Sequence, residues 1–315
     1  MSFLKIKLRS PIVIVIGLFF VSQLSSAQVS EEKSFFYQAD SFSQARLNGM
    51  MTSTVSGSAI SITILSKQWY SDYETVPFHW FNDNDQWLLM DKLGHGVTSY
   101  YGGVYGYNAL RWTGLSEKKS LLLGGGYGFL FLLSTELMDG FSSGWGASPG
   151  DFIANGLGTA LFIGQQHFFN RQIVTPKFSF WQSDYSKYRP EILGTSLGNE
   201  WLKDYNGQVY WLSFSPWQAR RRNGSYTSNW ISVAFGYSGD GMLGGSENPI
   251  FNQAGESLPY FDRKREFYLS VDLNLQNIRT KSAFWNMVIK GFSFVKIPTP
   301  ALILNGGKLG FVPII

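Results

Sequence analysis

Leu121-Leu122-Leu123-Gly124-Gly125-Gly126-Tyr127-Gly128-Phe129-Leu130-Phe131-Leu132-Leu133 is the one frankly apolar stretch beyond the N-terminal segment, and its reading decides the fold class. It lies within sixteen residues free of Asp, Glu, Lys and Arg, between Lys119 and Glu136. Moving outward, three further runs have the same character: twenty residues from Leu47 to Ser66, eighteen between Lys92 and Arg111, and nineteen between Asp151 and Arg171. Four such runs in about 125 residues predict four helices packed as a bundle over 46–170, joined to what precedes by a linker over 28–45.

Small residues recur four apart in these runs: Gly102 with Gly106, Gly124 with Gly128, and Ala154 with Gly158. On a helix this spacing makes a groove into which a second backbone can settle, the usual means of helix association in lipid. The first run is rich in Ser and Thr, so a water-soluble bundle stands beside a membrane-embedded or membrane-apposed one as an alternative. Ser148-Pro149-Gly150-Asp151 reads as a capping box with proline at the first helical position, and Ser116 before Glu117 as a second N-cap.

Past Arg171 the pattern changes to alternation every second residue. From Glu266 to Gln276, Phe267, Leu269, Val271, Leu273 and Leu275 share one face, with Tyr268, Ser270, Asp272, Asn274 and Gln276 on the other. This predicts a half-buried strand. Gln208–Phe214 and Trp230–Tyr237 read alike, and Ala301–Leu304, Asn305-Gly306 and Lys308–Val312 read as a hairpin with an Asn-Gly turn. The four to six strands so found fall short of the eight an outer-membrane barrel requires. The fold class is therefore α+β, a four-helix bundle followed by a β-rich region over 171–315.

Lys5, Lys7 and Arg9, an apolar stretch from Pro11 to Val21 and the small exit Ser25-Ser26-Ala27 have the order of a secretory signal over 1–27. Removing its three basic residues from the 26 leaves 23 against 22 acidic ones, a near-neutral chain that excludes counterion-driven binding of nucleic acid. Arg220-Arg221-Arg222 and Arg263-Lys264-Arg265 remain as local basic clusters, read as solvated loops or, alternatively, anionic-lipid contacts. Hydrophobic content of 44% against 15% charge excludes simple disorder, and 17% aromatic residues point to a membrane interface. There is no cysteine, hence no disulfide, thiolate ligand or catalytic thiol.

Chemistry, if any, belongs to polar residues among the helices. Asp91 and His95, and Asp151 and Asn155, are four apart and so share a helical face. Glu136 and Asp139 close the third run, where carboxylates oppose the helix dipole and so do not serve as caps. One histidine among carboxylates could take a hard or borderline metal, but zinc ordinarily asks for more nitrogen or sulfur, and no cofactor is indicated. His79 and His167 read as interface or loop residues. No nucleophile elbow, His-Glu-x-x-His or phosphate loop occurs, since Gly124–Gly128 lies inside an apolar run instead of following a strand.

Asp91-Lys92-Leu93-Gly94-His95 with Tyr100 and Tyr101, Glu136-Leu137-Met138-Asp139-Gly140, and Trp145-Gly146-Ala147-Ser148-Pro149-Gly150-Asp151 with Asn155 and Gly158 resemble a Gram-negative family of predicted periplasmic lipoproteins of unknown function. More distantly, the order Asp-Lys-x-x-His, Glu, Asp-x-x-x-Asn is similar to that of VanZ-like four-helix membrane proteins. The C-terminal half, with Lys296-Ile297-Pro298-Thr299-Pro300, looks like the longer form seen in Bacteroidetes. The resemblance implies an envelope location and a shared polar cluster of Asp91, Lys92, His95, Glu136, Asp139, Asp151 and Asn155. Neither family brings a reaction, and the sequence departs from the lipoprotein pattern in lacking a cysteine for lipidation.

The leading expectation is a non-catalytic, membrane-associated envelope protein whose polar cluster steadies the helices and contacts a lipid or lipid-linked glycan headgroup. One alternative is an envelope hydrolase or transferase using His95 and the nearby carboxylates, with a metal. Another is a structural partner of an outer-membrane assembly that docks another protein through its β-rich half.

Overall fold

The computed structural model describes residues 35–216, 218 and 230–315. The signal segment and the Arg220–Arg222 cluster lie outside them. Five helices follow the four uncharged runs closely: α1 (Gln44–Trp69), α2 (Met90–Trp112), the pair α3 (Glu117–Gly124) and α4 (Tyr127–Gly140), and α5 (Pro149–Phe169). The third run is one predicted helix broken into two, because Gly124-Gly125-Gly126 combines high backbone entropy with no side chain to hold the turn. A bundle of four equal helices is not what packs, for α1 buries no residue while α2 sits centrally against α3, α4 and α5.

The glycine stripes are where the helices meet. A Cβ on Gly102 would lie 2.3 Å from Gly128 Cα, one on Gly106 would lie 2.4 Å from the Gly124 carbonyl, and one on Gly158 would lie 2.1 Å from the Gly96 carbonyl. Backbones are thus in contact along both flanks of α2. Tyr100, Tyr101, Val104, Leu121 and Phe162 fill the remaining core.

At Ser148 the cap forms as expected, its hydroxyl accepting from the Asp151 amide at 3.1 Å. The reciprocal half of the capping box does not, because the Ser148 amide donates to Glu136 Oε2 at 3.1 Å and leaves Asp151 for another partner. Ser116 precedes α3 without a side-chain cap bond.

A six-stranded antiparallel meander follows: β1 (Val174–Phe180), β2 (Gln208–Phe214), β3 (Ile231–Asp240), β4 (Lys264–Leu273), β5 (Ala301–Asn305) and β6 (Lys308–Val312), paired in sequence order. Short helices α6 (Pro190–Leu193) and α7 (Leu197–Lys203) separate β1 from β2, and α8 (Ala283–Gly291) precedes β5. The β5–β6 turn is Gly306-Gly307, both with positive φ, and Asn305 instead pairs with Lys308. Arg263-Lys264-Arg265 is not a free loop: Lys264 and Arg265 open β4, and Arg263 donates to the carbonyls of Gly244 and Gly245. The free edge of β1 is covered where Phe178 exchanges backbone bonds with Phe294 and Lys296. The predicted alternation is present, but the buried face is the polar one: Tyr268, Ser270 and Asp272 are buried, whereas Phe267, Leu269 and Val271 are exposed.

Candidate functional site

The entry to α2 builds the site. Trp87, Leu88 and Leu89 are three successive non-glycine residues with left-handed backbone (φ 48°, 52° and 70°), a costly conformation that persists only where surroundings impose it. Here the sheet half imposes it: the Trp87 amide donates to the Gly245 carbonyl at 2.8 Å, and the Tyr237 hydroxyl donates to the Leu88 carbonyl at 2.5 Å. Immediately after, Asp91, Lys92 and His95 occupy the first turns of α2.

Lys92 is the hub. Its ammonium lies 2.6 Å from Asp83 Oδ2, 2.9 Å from Asp151 Oδ1 and 3.2 Å from Asp91 Oδ2, so one cation ties together a loop, α2 and α5. Ser148 fastens the same loop, its hydroxyl donating to Asp83 Oδ1 at 2.6 Å. Beside the hub stands the imidazole of His95. Its Nδ1 is 3.2 Å from Asn155 Oδ1, and because a carboxamide oxygen only accepts, that nitrogen carries the proton. Glu136 Oε1 stands 3.6 Å from the same nitrogen and Asp91 Oδ1 3.8 Å from Nε2, which puts the ring between carboxylates. Glu136 Oε1 is buried and accepts no hydrogen bond among the described residues. Asp139 stands apart from the hub and accepts from the Tyr70 hydroxyl at 2.6 Å, which attaches the end of α1.

All seven residues singled out in the sequence therefore fall within one neighbourhood, six around Lys92 and His95 and the seventh, Asp139, one helical turn beyond Glu136. Sequence reasoning missed the rest. Asp83 sits in a loop with no periodicity, and Tyr205 donates to Asp91 Oδ1 at 2.8 Å from a part of the chain 114 residues away. Tyr210 packs its hydroxyl where a Cβ of Gly94 would stand, 2.8 Å off. Only the aromatic residue count in the β half hinted that its tyrosines would reach the helices. His79 has a structural place, its Nε2 being 2.8 Å from the Trp145 carbonyl, and His167 lies at the exposed end of α5.

The charges set one another. Burial alone pulls His95 down, but Asp91, Asp151 and Glu136, with the Asn155 contact, hold it above its ordinary value. Burial pushes Asp151 up to about 8, reinforced by the Asp91 carboxylate and opposed by His95 and Lys92. Asp91 goes the other way: burial would raise it, yet His95, Lys92 and the Tyr205 hydroxyl keep it below the usual carboxylate range. His95 and Asp151 thus hold protons in the folded state that the unfolded chain releases at lower pH. Their stabilisation is complete below the unfolded values of 6.5 and 3.8 and is lost as pH rises through the folded ones. Stability should fall from pH 5 to pH 8, and Asp151→Asn should flatten that slope in thermal unfolding followed by circular dichroism. Asp91, of opposite sign, matters only on the acid side.

Ligand atoms of Asp91, His95 and Asp151 lie within 4.8 Å of one another, a spacing compatible with a bound cation. Lys92 already stands between the two aspartates, so a metal ion entering there must displace the ammonium. The group as arranged is a charge-alternating clasp with a proton-holding imidazole. A separate open groove runs past Tyr70, the hydrogen-bond partner of Asp139, with Ser66, Tyr70 and Glu74 as polar and Leu137, Met138 and Phe141 as apolar walls.

No curated protein and no solved structure matches the chain. With no cysteine in the sequence, the chain has no thiol to carry a thioether-linked lipid. Residues 79–164, which hold α2, α3, α4, most of α5 and every carboxylate of the cluster, match the family model described as "Predicted periplasmic lipoprotein (DUF2279)", an exported cell-envelope family of unknown function.

Proposed function

We propose that this is a non-catalytic, membrane-associated envelope protein in which the Lys92 clasp locks the helices to the loop and sheet, and in which the groove beside Asp139 receives a lipid or lipid-linked glycan headgroup. The observation carrying this reading is the ammonium of Lys92 held by three aspartate side chains from a loop, α2 and α5. Its lysine is consumed in holding structure, and a hydrolytic role for His95 requires the clasp to open first. Exposed Leu122, Leu123, Leu130 and Leu157 on α3, α4 and α5 support membrane association, and 117–140 is long and apolar enough, by length and composition, to cross a bilayer.

Charge selects among headgroups. Glu74 lines the groove and, among the described residues, no lysine or arginine does, so the groove favours an amine or sugar hydroxyls over a phosphate. The groove's apolar side, from Leu137 to Phe141, suits the first carbons of an acyl chain. Native mass spectrometry of protein extracted from membranes in mild detergent should show a retained lipid or glycolipid that is lost on Asp139→Asn with Tyr70→Phe. Recovery of the wild-type protein wholly in the osmotic-shock supernatant, or an empty groove in the membrane fraction, would refute the reading.

A further inference from the structure

The inner face of the sheet sets buried ions beside a small apolar cluster of Val209, Trp211, Ala234, Tyr268 and Ala301, while the outer face is exposed and apolar. On its inner face Lys177, 1% exposed, pairs with Asp272, 0% exposed, at 2.7 Å, and Asp272 also accepts from the Ser213 hydroxyl at 2.6 Å. Glu266 accepts from the hydroxyls of Tyr268 and Ser238, and Lys296 lies over the Trp211 ring while donating to Thr299. The outer face is apolar in register across five strands: Leu212 faces Phe235, Phe235 faces Leu269, Leu269 faces Leu302, and Leu302 faces Phe311. These five side chains are each 42–65% exposed.

In water this arrangement is unfavourable on both faces, since it buries ions and wets leucine. A slip of one residue in register would exchange the faces, yet the four pairings from β2 to β6 hold the same choice. Alternation of apolar outside and polar inside is what hydrocarbon selects. Leu122, Leu123, Leu130 and Leu157 of α3, α4 and α5 are exposed as well, so both the helical half and the sheet carry exposed apolar surface, which a bilayer covers more readily than a single docked protein. On the outward side β4 runs through Val271, Leu269 and Phe267 and ends in Arg265, opposite Gly239 of β3. β3 and β4, ten residues each, have the length of membrane-crossing strands.

We propose that the outer face of β2–β6 lies against the acyl chains of a phospholipid bilayer. This deepens the membrane-association reading and rests on it, but assigns the contact to the sheet and not only to the helices. The absence of cysteine allows a direct test. Phe235→Cys, Leu269→Cys and Leu302→Cys, each labelled with bimane and reconstituted in phosphatidylcholine/phosphatidylethanolamine vesicles, should emit further to the blue than in denaturant. They should lose fluorescence to brominated acyl chains and be spared by aqueous iodide. Three outward positions are used so that a poorly folding variant, recognised by its unfolding midpoint, leaves two others. Quenching by iodide, or by neither reagent as a second copy or a protein partner would produce, overturns the proposal while vesicle co-sedimentation leaves membrane association standing. Failure to co-sediment overturns both.

Discussion

Lys92→Met should lower the unfolding free energy by about 3–5 kcal/mol, the loss expected when a buried ion pair is broken from one side. The substitution keeps the apolar stem and removes only the charge, leaving Asp83, Asp91 and Asp151 facing one another without their cation. Adding Asp83→Asn to Lys92→Met should recover part of the loss, because one uncompensated carboxylate is then gone. A double-mutant cycle by thermal unfolding in mild detergent reads that coupling. An unchanged midpoint in Lys92→Met would mean that the clasp does not hold these elements together.

Gly128→Ala should destabilise by about 2–3 kcal/mol, toward the upper end for an overpacked contact, because its new methyl would lie 2.2 Å from the Ser99 carbonyl. Backbone cannot swing aside as a side chain does, so α4 must move off α2. The same substitution at Gly164 on α5, where nothing stands within 4 Å, should instead stabilise by about 1 kcal/mol through helix propensity alone. The pair isolates close helix approach from the intrinsic preference of alanine. Equal effects at both sites would remove the glycine contacts from the account of packing.

Local pattern was enough for much of the fold. The charge-free runs located the helices; in α2 and α5 the run follows from packing, whereas α1 is free of charge from Leu47 to Ser66 although it buries no residue. The glycine and alanine spacings named the contacts of α2, and the two-residue alternation located β2, β3, β4 and the β5–β6 hairpin. Local pattern missed two things: in β1, Val174, Pro176, Phe178 and Phe180 alternate with Thr175, Lys177 and Ser179, but a proline within the run argues against a strand, and the triple-glycine break between α3 and α4 was hidden inside an apolar run. Ser148 was legible as a cap from its own neighbours, but the destination of Asp151 was not, because the competing acceptor Glu136 lies in α4, twelve residues before Ser148, and the donor Lys92 in α2, 59 residues before Asp151.

By itself, then, the sequence determined the order of helices and strands, the helical faces that hold Asp91, His95, Asp151 and Asn155, and the alternation of the sheet, all of which follow from periods of 3.6 and 2 in neighbouring residues. Tertiary structure alone decided three things. It brought Asp83, Tyr205 and Tyr210 to the cluster, since through-space electrostatics has no signature in chain spacing. It imposed a left-handed turn on Trp87–Leu89 by hydrogen bonds from Tyr237 and to Gly245. It also chose which face of the sheet is buried, because a period of two is the same whether the polar or the apolar side turns inward, and only the packing of Lys177, Asp272 and Lys296 beneath the strands separates the two.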